Sequence, residues 1–214
     1  MTSYFDSKLC GCLSGLMVIC LCLTVGSGCG KTKAKVDSNR FTALGEVMAE
    51  KTTQLGDGKG TLVLVVAERD DHQSTDYGLA ADIFRKTLGK GMQVVATEVV
   101  KTPPVLTRGV EPLAAEKFSE LLQKYSQTDC LISFVGVPRL TAAQIAQLPS
   151  PRPRVVAVIT YNAPTKAMFA NKLLSLAAVF KPGSQEAVLS GSAQEIFDAQ
   201  YQLVAPDTVS LLAR

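Results

Sequence analysis

Five short runs of apolar, largely β-branched residues recur along this chain, with helix-compatible stretches between them. They are Thr61–Ala67, Met92–Val100, Cys130–Val135, Val155–Thr160 and Leu176–Phe180. A run such as Thr-Leu-Val-Leu-Val-Val-Ala lacks the polar alternation of a strand with one wet face, so it reads as a strand covered on both sides. Strands of this kind separated by amphipathic helices build a mostly parallel sheet through right-handed crossovers, with helices on both faces. The predicted fold is therefore α/β, a three-layer sandwich around a five-stranded sheet.

The intervening segments carry helical periodicity. Ser38–Leu55 places Phe41, Leu44, Val47, Met48 and Leu55 on one face, with Asp37 or Ser38 as its cap, and Gly56-Asp57-Gly58-Lys59-Gly60 ends it. Tyr77–Leu88 directs Leu79, Ala80, Ile83, Phe84 and Leu88 inward, and a third helix presents Ala114, Phe118, Leu121, Leu122 and Tyr125. Thr141-x-x-Gln144 is a capping box for a short helix through Leu148, and Pro164-Thr165 opens another. Tyr201–Ala205 reads as an edge strand and Thr208–Leu212 as a last helical turn. The natural strand order for such a chain is flavodoxin-like, 2-1-3-4-5, with 61–214 as one α/β domain of ordinary size.

Upstream, Leu9 to Gly30 is a run of 22 uncharged residues with Lys8 before it and Lys31 after it. Its apolar centre, Leu16–Leu23, and the small residues Gly26-Ser27-Gly28 have the layout of an export signal. Cys29 directly after Ser27-Gly28 resembles the lipobox of bacterial lipoproteins. That resemblance implies cleavage before Cys29 and a lipid on it, hence a protein tethered to the cell membrane or outer membrane on the extracytoplasmic side. The expected organisation is a signal segment over 1–28, a lipidated cysteine and tether over 29–37, and an N-terminal helix with its Gly-rich turn over 38–60. Two alternatives stay open at this stage. The run is long enough to span a bilayer uncleaved, and Lys31, Lys33 and Lys35 on its far side favour the opposite orientation. Gly26-Ser27-Gly28-Cys29-Gly30-Lys31-Thr32 also resembles a nucleotide-binding phosphate loop, although Val25 stands where that pattern needs its first glycine.

Loss of residues 1–28 would remove one acid, Asp6, and one base, Lys8, leaving the formal net charge at +3. A charge so small, with no basic stripe interleaved with aromatics, excludes nucleic acid as the expected partner. Of six cysteines only Cys29 and Cys130 would survive cleavage, and Cys130 falls within a predicted strand as a packed thiol. With a single histidine and no Cys/His spacing, no metal is expected.

In open parallel sheets ligands bind beyond the strand carboxyl ends. The candidate ligand-binding residues are accordingly those of the loops that follow the strands: Asp70, Asp71 and His72 after the first, Gly136 and Arg139 after the third, and Tyr161 and Asn162 after the fourth. Lys181-Pro182-Gly183 follows the fifth. Each also has a plain reading as turn, cap or solvated charge. Catalytic patterns are largely missing. There is no Gly-x-Ser-x-Gly elbow, and no Gly-x-Gly-x-x-Gly turn after the first strand, so no catalytic residue and no cofactor is predicted. An enzyme, hydrolase-like and using Asp70, Asp71 or His72, is the second reading.

The run from Thr61 to about Gly183 resembles one lobe of a type I periplasmic substrate-binding protein. The resemblance rests on the apolar first strand with its polar loop, on Leu131-Ile132-Ser133-Phe134-Val135-Gly136-Val137-Pro138, and on the lipoprotein-like leader. It implies a non-catalytic binding or interaction module. Its partners would be the membrane through a lipid anchor and a small polar ligand or a partner protein. Because such proteins close two lobes on a ligand and this chain supplies the length of one, a second copy covering the face is a further expected partner.

Overall fold

Every apolar run named above forms a strand, and the central strands of the sheet they build are covered on both faces. The structure, a computed structural model, describes residues 28–68, 76–101, 113–159, 164–181, 184 and 190–212. The elements follow as α1 (Gly28–Leu55), β1 (Gly60–Ala67), α2 (Asp76–Thr87), β2 (Met92–Val100), α3 (Ala115–Lys124), β3 (Cys130–Ser133), α4 (Ala142–Ala146), β4 (Arg154–Ile159), α5 (Thr165–Ala170), β5 (Leu176–Phe180), α6 (Ala193–Gln200) and β6 (Tyr201–Val204). A short 3-10 turn, Val209–Leu211, follows β6. Strand order is β2-β1-β3-β4-β5-β6, parallel throughout except for the last pair. The expected order 2-1-3-4-5 holds, extended by β6, which runs antiparallel to β5 with Phe180 opposite Tyr201.

Alternate residues along each strand feed two separate cores, because successive side chains leave a strand on opposite faces. Leu62, Leu64, Ile132, Val156 and Val158 meet α1, α2 and α6 through Leu44, Met48, Phe84 and Phe197. Val65, Leu131, Val155, Ala157 and Ile159 meet the other helices through Phe118, Leu121, Leu122, Met168 and Phe169. Cys130 is fully buried in the first core, and that burial pushes its thiol pKa up, so it stays a protonated packing group.

Three features depart from the sequence reading. Helix α1 already runs from Gly28, the first described residue, so neither Asp37 nor Ser38 caps it and the segment expected as a tether continues the helix. The reason lies in propensity: Lys33, Ala34 and Lys35 are good helix formers, and the modest propensity cost of Asp37-Ser38-Asn39 does not stop propagation into the packed part of the helix. Helix α6, absent from the sequence reading, is held by a capping box. The Ser192 hydroxyl accepts from the Glu195 amide while the Glu195 carboxylate accepts from the Ser192 amide. Strand β2 carries a bulge as well. Leu62 pairs with Val94 but Val63 with Ala96, leaving Val95 as the extra residue on the open edge of the sheet. Val95 and Val99, 46% and 57% exposed, thus lie on a strand whose irregular register resists pairing with another edge.

Polar contacts fasten the margins. At the amino end of the sheet the Thr61 amide and hydroxyl donate to Asp129 Oδ2 at 2.8 and 3.0 Å, tying β1 to the start of β3. Those hydrogen bonds hold the Asp129 carboxyl below its ordinary range. On the β2 edge, the Lys124 ammonium (2.7 Å) and the Tyr125 hydroxyl both donate to the Glu98 carboxylate, joining β2 to the end of α3. The same bonds lower the Glu98 pKa and raise those of Tyr125 and Lys124.

Candidate functional site

The parallel strands end together, and the described part of that end is built by β1, β2, β3 and β5. The Phe134 amide donates to the Val65 carbonyl at 2.9 Å, extending the β1–β3 ladder one residue past β3. The chain then turns. Gly136 adopts φ +83°, a left-handed conformation that a side chain would strain, and the buried Ser133 hydroxyl donates to its carbonyl at 2.6 Å. Val137 and Pro138 fold back into the protein and Arg139 emerges exposed. Gly136 is therefore the hinge of a tight turn that positions Arg139. Ser133 is committed to that turn and unsuited to act as a nucleophile.

Beside this turn the Glu68 amide donates to the Val100 carbonyl at 2.8 Å, joining the ends of β1 and β2, with Glu68 and Lys101 exposed. At β5 the Lys181 amide donates to the Gln200 carbonyl at 2.8 Å, and its ammonium donates to the Asp198 carbonyl at the end of α6. The Ser184 hydroxyl donates back to the Lys181 carbonyl at 2.7 Å. The described rim therefore presents one acid, Glu68, and three bases, Lys101, Arg139 and Lys181, around a backbone turn. Lys101 is not singled out by sequence reasoning; its signal was only its place one residue past a predicted strand.

Of the sequence candidates, Gly136 and Arg139 lie together on this rim. Asp70, Asp71, His72, Tyr161 and Asn162 lie outside the described residues, in the segments that follow β1 and β4. Cys29 falls in the first turn of α1. Among the described residues no group of three or more His, Cys, Asp or Glu side chains is placed to hold a metal ion. Among them also no helix is long and apolar enough to cross a membrane, and most of the uncharged run, 9–27, lies outside them. A shallow groove of about 310 Å³ lies between α1 and α6, bordered by Asn39, Thr42, Glu46, Ser190 and Ile196.

Comparison with solved structures shows where this topology recurs. The chain is similar to AraP, an arabinose-binding protein from Geobacillus stearothermophilus, with a TM-score of 0.55 and 14% identity, covering 81% of this chain and 63% of that one. The fold resembles a periplasmic-binding-protein lobe. A solute-binding protein of an ABC transporter from Burkholderia graminis, solved with D-arabinose, matches with a TM-score of 0.53 at 11% identity, over 81% of this chain and 62% of that one. The sugar-binding protein of a sugar ABC transporter from Bacillus halodurans matches at 0.52 and 15%, over 82% and 65%. This chain thus spans less than two thirds of the length of these structures, and identities so low establish a shared fold alone. No family model and no curated protein matches the chain.

Proposed function

We propose that this chain is a membrane-anchored, extracytoplasmic module that binds a small polar ligand at the strand carboxyl ends without transforming it. The observation that carries this reading is the fold, matched by solved proteins whose names specify arabinose or a sugar. In such a sheet the strand ends are where a ligand finds unshared backbone groups and loop side chains. Arg139, and by residue type Asp70, Asp71, His72, Tyr161 and Asn162 of the segments that follow β1 and β4 in the sequence, would supply donors, acceptors and aromatic surface, which suits a neutral polyhydroxyl compound. The anchor in this reading is a lipid on Cys29 after loss of residues 1–28, supported by the uncharged run and its small residues.

Ligand-induced stabilisation tests the binding. A ligand at about tenfold its Kd adds about 1.4 kcal/mol to the folded state, a Tm rise of about 3–5 °C for a chain of this size. D-arabinose and a panel of related monosaccharides are expected to include at least one that produces such a rise. Arg139→Ala is expected to reduce it by more than half while leaving the unliganded Tm within about 2 °C, since Arg139 is exposed and exposed substitutions have small effects. An unchanged Tm with every sugar contradicts the reading.

A further inference from the structure

The direction of α1 decides which face of the domain meets the membrane. Helix α1 lies beside α2 and parallel to it. The Phe41 ring packs edge-on against Tyr77 with centroids 5.0 Å apart, Gly45 lies against Ala80 and Ile83, and Thr53 lies against Gly89 just past the end of α2. Tyr77 is in the first turn of α2, at the strand carboxyl ends, and α2 descends to the amino end of β2. Helix α1 therefore also descends from the carboxyl end of the sheet, and Gly56-Asp57-Gly58-Lys59 returns the chain to β1 at the amino end.

The first turns of α1 consequently project past the rim that carries Arg139. Phe41 is the first buried residue among those of α1 whose side chains the structure describes, from Ser38 on, and Cys29 precedes it by twelve positions. At about 1.5 Å per residue that is about 18 Å of helix. Beyond it stands the uncharged run, and Lys31, Lys33 and Lys35 occupy the turns between, with no acidic residue from Gly28 to Val36. Whether the run is cleaved before Cys29 or kept as a span, these three positions lie within about a Debye length of the bilayer surface.

We propose that the strand-carboxyl face is the membrane-facing side of the anchored protein, with the Lys31–Lys35 turns docked on anionic lipid headgroups. The inference rests on the anchor proposed above. It deepens the functional reading, because a ligand reaching the rim does so in the narrow space between the sheet and the bilayer. Positive charge at that place is attracted by an anionic leaflet, and the attraction weakens with salt.

The chain contains no tryptophan, so a single introduced one reports its own position. Glu68→Trp marks the carboxyl end of β1 and Lys59→Trp the turn before its amino end; both sites are exposed. Each full-length variant is reconstituted in vesicles of phosphatidylcholine with or without phosphatidylglycerol, carrying a dansyl-labelled headgroup, and floated on a density gradient. Energy transfer from position 68 is expected to exceed that from position 59 at least threefold in anionic vesicles. Lys31, Lys33 and Lys35 all changed to Gln, or high salt, should bring the anionic vesicles to the level of the neutral ones. Floating protein with equal or inverted transfer overturns the orientation. An unaffected triple variant overturns headgroup docking. Protein that does not float overturns the anchor, and this inference with it.

Discussion

Phe84→Ala is expected to lower the unfolding free energy by about 3–5 kcal/mol, close to the whole stability of a marginal domain. Phe84 is fully buried on α2, and its ring meets Phe134 edge-on with centroids 5.6 Å apart. Truncation removes the ring from a site enclosed by α1, α2 and the end of β3, so it loses both the transfer free energy and the contacts of the cavity lining. Phe134 directly precedes the turn at Gly136, so the cavity would open beneath the rim that carries Arg139. Urea denaturation gives the measurement: the midpoint should fall with the slope unchanged. A loss below about 1 kcal/mol would mean that α2 is not seated on the sheet as described.

Gly45→Ala should also destabilise, by about 1–3 kcal/mol, although glycine to alanine inside a helix ordinarily stabilises by about 1 kcal/mol. The added Cβ would stand 2.4 Å from the Ala80 carbonyl oxygen and 2.8 Å from Ile83 Cβ, both on α2. The carbonyl belongs to the backbone of a packed helix and cannot swing aside. Helix α1 would have to lift from α2, thinning its contacts through Phe41, Leu44 and Met48. The overpacking cost therefore outweighs the propensity gain. A stabilised Gly45→Ala protein would show that the two helices lie farther apart, and would remove the geometric basis for placing the first turns of α1 at the strand carboxyl ends.

Much of the scaffold was legible because burial imposes a period. Strands β2 and β5 fall on the predicted bounds, since short runs rich in Val and Ala between turn residues are too short and too β-branched for a helix, although β2 exposes alternate residues at the sheet edge. The Thr141–Gln144 capping box forms in both directions, as its spacing requires. Helix α6 carries the same signal in Ser192-x-x-Glu195, but eight residues with Ile196 and Phe197 as the buried apolar pair give too short a period to recognise. The bulge at Val95 was beyond sequence reasoning, because it depends on how β2 meets β1.

The candidate site is legible in the sequence only as an expected location. Topology selects the strand ends, and the structure brings Gly136 and Arg139 to one turn there. It does so for Gly136 by backbone conformation, the plainer of its two sequence readings. Loop residues such as Asp70 or Asn162 have no burial period to betray a role, so their residue types name a chemistry without fixing its geometry. The one structural signal with functional direction, the parallel course of α1 and α2, lies in helix packing, which no residue pattern in the leader announces.

The most direct test of the binding account is a map of where a stabilising sugar touches the protein. Amide chemical-shift perturbation in the isotopically labelled protein, titrated with that monosaccharide, supplies it. The account predicts perturbations concentrated at 68–76, 134–140 and 160–165, saturating together with one Kd, and the amino-end residues Thr61 and Asp129 unmoved. Perturbations centred on the groove between α1 and α6, or none at concentrations that should saturate, would contradict a binding site at the strand carboxyl ends.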